Sequence, residues 1–129
     1  MKLNTLPPSL RDNQRYIVFE IISKKDVRLD NVVNAIWSAS LQLFGEVGTS
    51  KFKMWVPSQL FDAGRKKAVI KTTHDSVEEV RAVLASIMEI EGESVIFYVH
   101  GVTGTIKSAK NKFMGQVDLS NFGSMREKA

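Results

Sequence analysis

The sequence has 129 residues, of which 43% are hydrophobic and 25% are charged, and its formal net charge is +4. A chain of this length and composition fits one domain with a buried core, so we expect a single domain over residues 1–129. The absence of cysteine excludes disulfides and cysteine-based zinc or redox sites. No apolar run is long enough for a signal peptide or a transmembrane helix, which predicts a soluble, cytoplasmic protein without membrane contact.

The first third of the chain predicts an arm, a strand and a helix. Two prolines favour an extended N-terminal arm over residues 1–14. Residues 15–23 are rich in aromatic and β-branched side chains, which favours a strand. Asp30 then has the character of an N-cap, and apolar residues at steps of three and four predict a helix that ends at Gly45. This stripe consists of Val33, Ile36, Trp37, Leu41 and Phe44.

The middle of the chain predicts two strands and a second helix. Residues 51–56 and 67–73 alternate in polarity, so we expect two strands connected through a hairpin turn at 62–65. A helix then begins after a capping residue, Asp75 or Ser76, and is expected to end at Gly92. Its apolar stripe consists of Val77, Val80, Leu84, Ile87 and Met88. A fourth strand is predicted at 95–99.

The predicted order, βαββαβ, is that of the ferredoxin-like sandwich in the α+β class, which RNA-recognition-motif domains share. We therefore expect a four-stranded antiparallel sheet with two helices on one face and the other face open. Residues 101–105 are rich in glycine and lead into residues 106–114, whose spacing predicts an extra short C-terminal helix. Residues 116–129 read as a polar tail.

Charge is unevenly distributed along the chain. Between Lys51 and Lys71 there are six basic residues and one acid, whereas between Asp75 and Glu93 there are six acids and one base. Alternation directs the strand lysines to the face that the helices do not cover. Such a face, next to a basic third helix, is typical of a surface that binds phosphates. The same lysines could also do no more than keep an exposed face solvated.

We expect the RNA contacts to form one continuous positive surface from separate stretches of sequence. The segment around Gly104 and Thr105 could offer backbone N–H groups to a phosphate, or its glycines could only permit a sharp turn. Three apolar side chains on the first strand, Tyr16, Val18 and Ile22, need a cover, which could be the third helix, the tail or a partner protein. The predicted RNA-binding set is Arg11, Arg15, Lys51, Lys53, Lys67, Lys71, Gly104, Thr105, Lys107, Lys110 and Lys112.

No catalytic residue and no metal site is predicted. His74 and His100 follow or end strands without a third ligand at metal spacing, and Glu20 is expected to pair with a sheet lysine. No phosphate-binding loop of the Walker type is present. A small enzyme of the acylphosphatase type is one alternative, although residues 23–28 lack the glycine-rich cradle that it would need. A ligand-sensing or assembly module is another.

Two segments resemble the Pop-five family of ribonuclease P and MRP subunits. The stretch Leu6-Pro7-Pro8-Ser9-Leu10-Arg11, followed by Arg15-Tyr16-Ile17, is similar to the opening of that family. The stretch Gly101-Val102-Thr103-Gly104-Thr105-Ile106-Lys107, followed by Lys112-Phe113, is similar to its C-terminal signature. The resemblance extends to about Met114, and the short length without an acidic extension is similar to archaeal members.

The resemblance implies a non-catalytic subunit that assists a catalytic RNA in removing the 5′ leader of precursor tRNA. It implies that the chain binds no cofactor and that Mg²⁺ is held by the RNA. The implied partners are the ribonuclease P RNA, precursor tRNA and a thirty-kilodalton TIM-barrel-like ribonuclease P protein, with a homodimer inside a heterotetramer. Because the strand at 67–73 has no aromatic residue, we expect recognition of phosphates and RNA shape rather than the base stacking of RNA-recognition motifs.

Overall fold

The computed structural model describes residues 13–112. The predicted tail, Arg11 and most of the predicted arm therefore lie outside the described residues. Among the helices of this part of the chain, none combines the length and apolar character that a transmembrane helix needs. The elements in chain order are β1 (Gln14–Ile22), α1 (Leu29–Phe52), a 3₁₀ helix (Ser58–Leu60), β2 (Lys67–Thr73), α2 (Val77–Ser86), β3 (Glu89–Ile90), β4 (Glu93–Ser94), β5 (Ile96–Thr103) and α3 (Ile106–Lys112).

The main sheet is antiparallel, with the order β2-β1-β5, and a separate two-stranded ribbon is formed by β3 and β4. The α+β class and the third helix are thus confirmed, but the sheet has three strands in the described part of the chain instead of four. The strand predicted at 51–56 is absent, and only Trp55 of that segment forms an isolated antiparallel bridge, with Lys71 of β2.

The predicted strand at 51–56 is wrong because α1 continues beyond Gly45. Gly45 has φ 72° and ψ −178°, a backbone conformation that essentially only glycine adopts, and it breaks the helix into segments 29–44 and 46–52. A buried hydrogen bond of 2.6 Å between the hydroxyls of Ser40 and Thr49 joins the two segments. The helix ends at Phe52, and Lys53, whose backbone is left-handed (φ 50°), is the C-cap.

The boundaries of both long helices differ from the prediction. Asp30 lies in the first turn of α1, where its charge suits the helix dipole, and Arg28 occupies the N-cap position. Ser76 is the N-cap of α2 but makes no capping hydrogen bond through its side chain. This helix ends at Ser86 rather than at Gly92, because the backbone is already extended at Ile87 (φ −82°, ψ 116°). Glu91 (φ 51°) and Gly92 (φ 79°) form the tight turn between β3 and β4.

The principal core lies between the sheet and the two long helices. Alternate residues of β1, among them Ile17 and Phe19, pack against α1 and α2, and Phe19 stacks on Phe97 of β5 with ring centroids 5.5 Å apart. Phe52 and Val56 are also buried in this core. The alternation that predicted a strand at 51–56 thus comes from residues that do face the core, although their backbone is helix and loop. The opposite face of the sheet is the one that carries the candidate site.

Candidate nucleic-acid interface

Helix α3 packs on the face of the sheet that α1 and α2 leave uncovered. Ala109 is completely buried there, together with Val18 of β1 and Val69 of β2. Leu60, from the 3₁₀ helix, belongs to the same cluster, and Tyr16 and Ile106 pack against it. This second, smaller core fixes α3 across the middle of the sheet. The third helix thus covers Val18 and, in part, Tyr16, whereas Ile22 stays exposed.

The start of α3 is closed by a side-chain cap. Thr105 Oγ1 accepts a hydrogen bond of 3.1 Å from the backbone N–H of Ser108, and the Thr103 hydroxyl donates one of 2.9 Å to the Thr105 carbonyl. Gly104 has no positive φ, and a Cβ built on it would meet no atom within 4 Å. A sharp turn therefore does not require glycine at 104, and a bound phosphate there stays a prediction.

The lysines of α3 and of β2 lie on the same face of the sheet. Because Ala109 and Ile106 point toward the sheet, the other sides of α3 carry Lys107, Lys110 and Lys112, which are all exposed. In β2, alternation puts the two predicted lysines, 67 and 71, on the same side as Val69, which belongs to the same buried cluster as Ala109. The structure thus brings these five predicted RNA-binding residues to one surface.

Lys51 and Lys53 lie beside this surface, at the end of α1. The sequence predicted that both project from a strand, whereas they lie at the end of a helix. Their segment is hydrogen-bonded to the edge strand β2. The Thr72 hydroxyl donates a hydrogen bond of 2.7 Å to the Phe52 carbonyl, and Trp55 exchanges two backbone hydrogen bonds with Lys71. Both lysines are exposed. Contact of these two lysines with RNA stays a prediction.

Arg15 is not brought to this surface. It alternates with Tyr16 and shares its side of β1 with Ile17 and Phe19, which face the helices. Its guanidinium is partly buried and donates a hydrogen bond of 2.8 Å to the Gln14 carbonyl. The alternation around Tyr16 was a signal in the sequence that could have separated Arg15 from the lysines.

The three residues predicted at a partner interface have different surroundings. Val18 is fully buried under α3, so a partner cannot reach it in this arrangement, and Tyr16 is partly buried beside it. Ile22 is 50% exposed, and it lies opposite Ile96 of β5, which is 61% exposed. Tyr98, two residues further along β5, is 54% exposed. We call Ile22, Ile96 and Tyr98 the apolar patch; its β5 residues were missed because residues 95–99 form an unbroken apolar run.

A polar pair between β1 and β5 was also missed. Glu20 Oε1 lies 2.8 Å from His100 Nε2, and both side chains are half-buried. His100 is the additional residue of a β-bulge, because Val18 pairs with Gly101 while Phe19 pairs with Val99. The His100 ring also meets Tyr98 edge-on, with centroids 5.0 Å apart. Nothing in the sequence pattern predicts a bulge at this position.

The described residues give no separate support for chemistry by this chain. Between residues 13 and 112, no three histidines or carboxylates are grouped so that they could hold a metal ion. The loop after β1, where an acylphosphatase would bind phosphate, lines a cavity with three carboxylates, those of Asp26, Glu91 and Glu93, and one ammonium group, that of Lys25, which pairs with Glu93 at 3.3 Å. These carboxylates would repel a phosphate.

The comparisons with known proteins agree with this geometry. A family model described as the Rpp14/Pop5 family matches residues 15–114. Ribonuclease P protein component 2 of Pyrococcus horikoshii is 43% identical over 115 residues, which cover 89% of this chain and 94% of the relative. The protein of the same name from Methanocaldococcus jannaschii is 39% identical over 113 residues, covering 88% and 81%.

A solved structure shows the same fold at much lower identity. A chain in the cryo-EM structure of yeast ribonuclease MRP aligns with a TM-score of 0.60 and 11% identity, over 74% of this chain and 76% of that one. The match of the family model over most of the sequence, together with relatives near 40% identity over nearly their whole length, settles the family. This chain belongs to the Rpp14/Pop5 family.

Proposed function

We propose that this chain is a non-catalytic protein subunit of ribonuclease P, which binds the RNA of that enzyme through the lysines of α3 and β2. The family and the archaeal relatives named ribonuclease P protein component 2 support the assignment. The observation that carries the RNA-binding part is the buried cluster that Ala109 of α3 shares with Val18 of β1 and Val69 of β2. This packing puts the cations of two distant sequence segments on one face of the sheet.

The mechanism that we propose is electrostatic. Lysines that contact RNA phosphates displace condensed counterions, and they allow strands of the folded RNA to approach one another. Lys107, Lys110 and Lys112 are carried by a helix whose position is fixed by a buried residue, so their charges are held in place with little cost in backbone entropy. Catalysis and Mg²⁺ are assigned to the RNA, and precursor tRNA is the substrate of the assembled enzyme.

Salt dependence tests this function. If about six of the predicted residues contact phosphates, log K for the ribonuclease P RNA should fall with log salt at a slope of roughly −4 to −5. Filter binding or fluorescence anisotropy between 0.1 and 0.5 M salt measures the slope, with a neutral crowding agent as a control for viscosity. A slope near zero would contradict the proposal, because no other interaction in RNA binding releases counterions on this scale.

The apolar patch is the surface that we assign to a protein partner. Its three residues are each at least half exposed on one end of the sheet, away from the segment that α3 covers. Apolar side chains that are exposed together are typical of protein–protein interfaces. The partner implied by the resemblance is the thirty-kilodalton TIM-barrel-like subunit, and the proposed assembly is a heterotetramer with a homodimer of this chain.

Replacing Ile96 by serine should weaken binding of that subunit by about tenfold or more, the size typical of a residue near the centre of an interface. Val47→Ser is a matched control, because Val47 is also exposed but belongs to α1, which packs on the other face of the sheet. Isothermal titration calorimetry of the purified pair measures both variants. Equal affinities for the two variants would exclude the patch as the interface.

A further inference from the structure

Trp55 is an exposed tryptophan that the folding of the chain does not explain. The residue is 46% exposed, although tryptophan is among the residues that gain most from burial. The backbone of the residue is nevertheless firmly placed by two hydrogen bonds to Lys71. The backbone N–H of Trp55 donates one of 3.1 Å to the Lys71 carbonyl, and the Trp55 carbonyl accepts one of 2.7 Å from the backbone N–H of Lys71. A large aromatic ring is thus held at the margin of the sheet with much of its surface open.

A cation accompanies the ring. Lys71 Nζ lies 5.0 Å from the centroid of the indole, within the range of a cation–π contact. Lys71 also lies opposite Tyr16 in β1, so Tyr16, Lys71 and Trp55 form one row across the sheet. This row adjoins the small core under α3, because Tyr16 packs against it.

The exposed residues close to Trp55 in the sequence are cationic or polar. Among its neighbours in sequence, Lys53, Ser58 and Gln59 are exposed, whereas Val56 and Pro57 are buried. A protein-docking surface groups several exposed apolar side chains, as the apolar patch does, and the neighbours of Trp55 do not form such a group. An aromatic plane beside an ammonium group matches the two parts of a nucleotide, which are a flat base and a phosphate.

We propose that Trp55 stacks on an unpaired nucleobase of the bound RNA while the Lys71 ammonium contacts the adjoining phosphate. This inference rests on the proposed function, which it extends by adding a stacking site to a phosphate-binding surface. Every base has a π-face, so the site selects an unpaired nucleotide without selecting its sequence. The aromatic residue that the strand at 67–73 lacks is supplied by the segment next to it.

Two variants separate the stacking residue from the phosphate contact. Trp55→Leu should weaken binding of the ribonuclease P RNA by about 5- to 150-fold, the range for one stacked base, and it should leave the salt slope unchanged. Trp55→Phe should recover most of the loss because it restores a ring. Lys71→Gln should instead reduce the magnitude of the salt slope by about one. Equal affinity of Trp55→Leu and the unmodified chain would overturn the proposal.

Fluorescence gives a direct readout of stacking. The chain has two tryptophans, so Trp37→Phe isolates the emission of Trp55. Single-stranded oligoadenylate of ten nucleotides should quench this emission, whereas an abasic oligomer of equal length should not. Quenching by neither oligomer, or by both equally, would overturn the stacking. If Trp37→Phe does not fold, the RNA affinities of the Trp55 variants, measured in the chain that keeps Trp37, test the stacking.

The outcome is separable from that of the proposed function. Binding of the ribonuclease P RNA with the expected salt slope, but with no effect of Trp55→Leu, would remove the stacking site and keep the RNA-binding subunit. Absence of any binding to that RNA would remove both.

Discussion

Replacing Lys107, Lys110 and Lys112 together by glutamine should weaken binding of the ribonuclease P RNA by about 50- to 170-fold at 0.15 M salt. This range follows if each lysine contributes roughly −0.7 to −0.9 to the salt slope and the variants bind equally near 1 M salt. The three side chains are exposed, and α3 is held to the sheet by Ala109, so the variant should keep its fold. Anisotropy titrations over a range of salt concentrations measure the effect, and circular dichroism checks the fold.

A second triple variant controls for the loss of net charge. Lys24, Lys25 and Arg81 are exposed, and they lie in the loop after β1 and on α2, away from α3. Replacing these three by glutamine removes the same charge and should change the affinity far less. If both triple variants weaken binding to the same extent, the attraction between the net positive charge of the protein and the RNA accounts for the affinity, and a specific surface formed by α3 does not.

Phe19→Ala should lower the free energy of unfolding by about 3–5 kcal/mol. Phe19 is fully buried at the centre of β1, and its ring stacks on Phe97 at 5.5 Å, so the truncation leaves a cavity between the sheet and the long helices. The loss is a large part of the roughly 6–19 kcal/mol expected for a chain of this length. Urea denaturation followed by circular dichroism measures it.

A neighbouring strand provides the control for this prediction. Ile96 lies next to Phe97 in β5, but its side chain is mostly exposed on the opposite face. Ile96→Ala should therefore change stability by no more than about 0.5 kcal/mol. Similar losses for Phe19→Ala and Ile96→Ala would mean that the core does not lie between the sheet and the two long helices.

The sequence predicts the parts of the fold in which one periodicity persists. β1, β2 and the first halves of α1 and α2 follow periods of 2 or 3.6, and the structure has these elements. The failure at 51–56 has a physical cause, because Phe52, Met54 and Val56 can alternate inward from a strand or from the end of a helix and the loop after it. Gly45 was predicted to end the helix, but it only interrupts it, and the helix continues to Phe52.

The candidate site was predictable where charge and helical spacing agree. The lysines of α3 were identified because Ile106 and Ala109 mark the face that packs on the sheet. Lys53 was assigned to a strand that the structure does not have. Arg15 was included in the RNA-binding set, although its alternation with Tyr16 puts it on the other face of β1. The Glu20–His100 pair and Trp55's contact with Lys71 were not predictable, because each depends on how distant segments of backbone come together.

The bulge at His100 has a further consequence for the free protein. In the described part of the chain, β5 is an edge of the main sheet, and such an edge is a template on which a strand of another molecule can grow. The additional residue at His100 bends and twists the strand and interrupts its regular hydrogen-bonding pattern. A foreign strand can then pair with only part of β5, so the bulge protects an unassembled subunit against aggregation while Ile96 and Tyr98 are exposed.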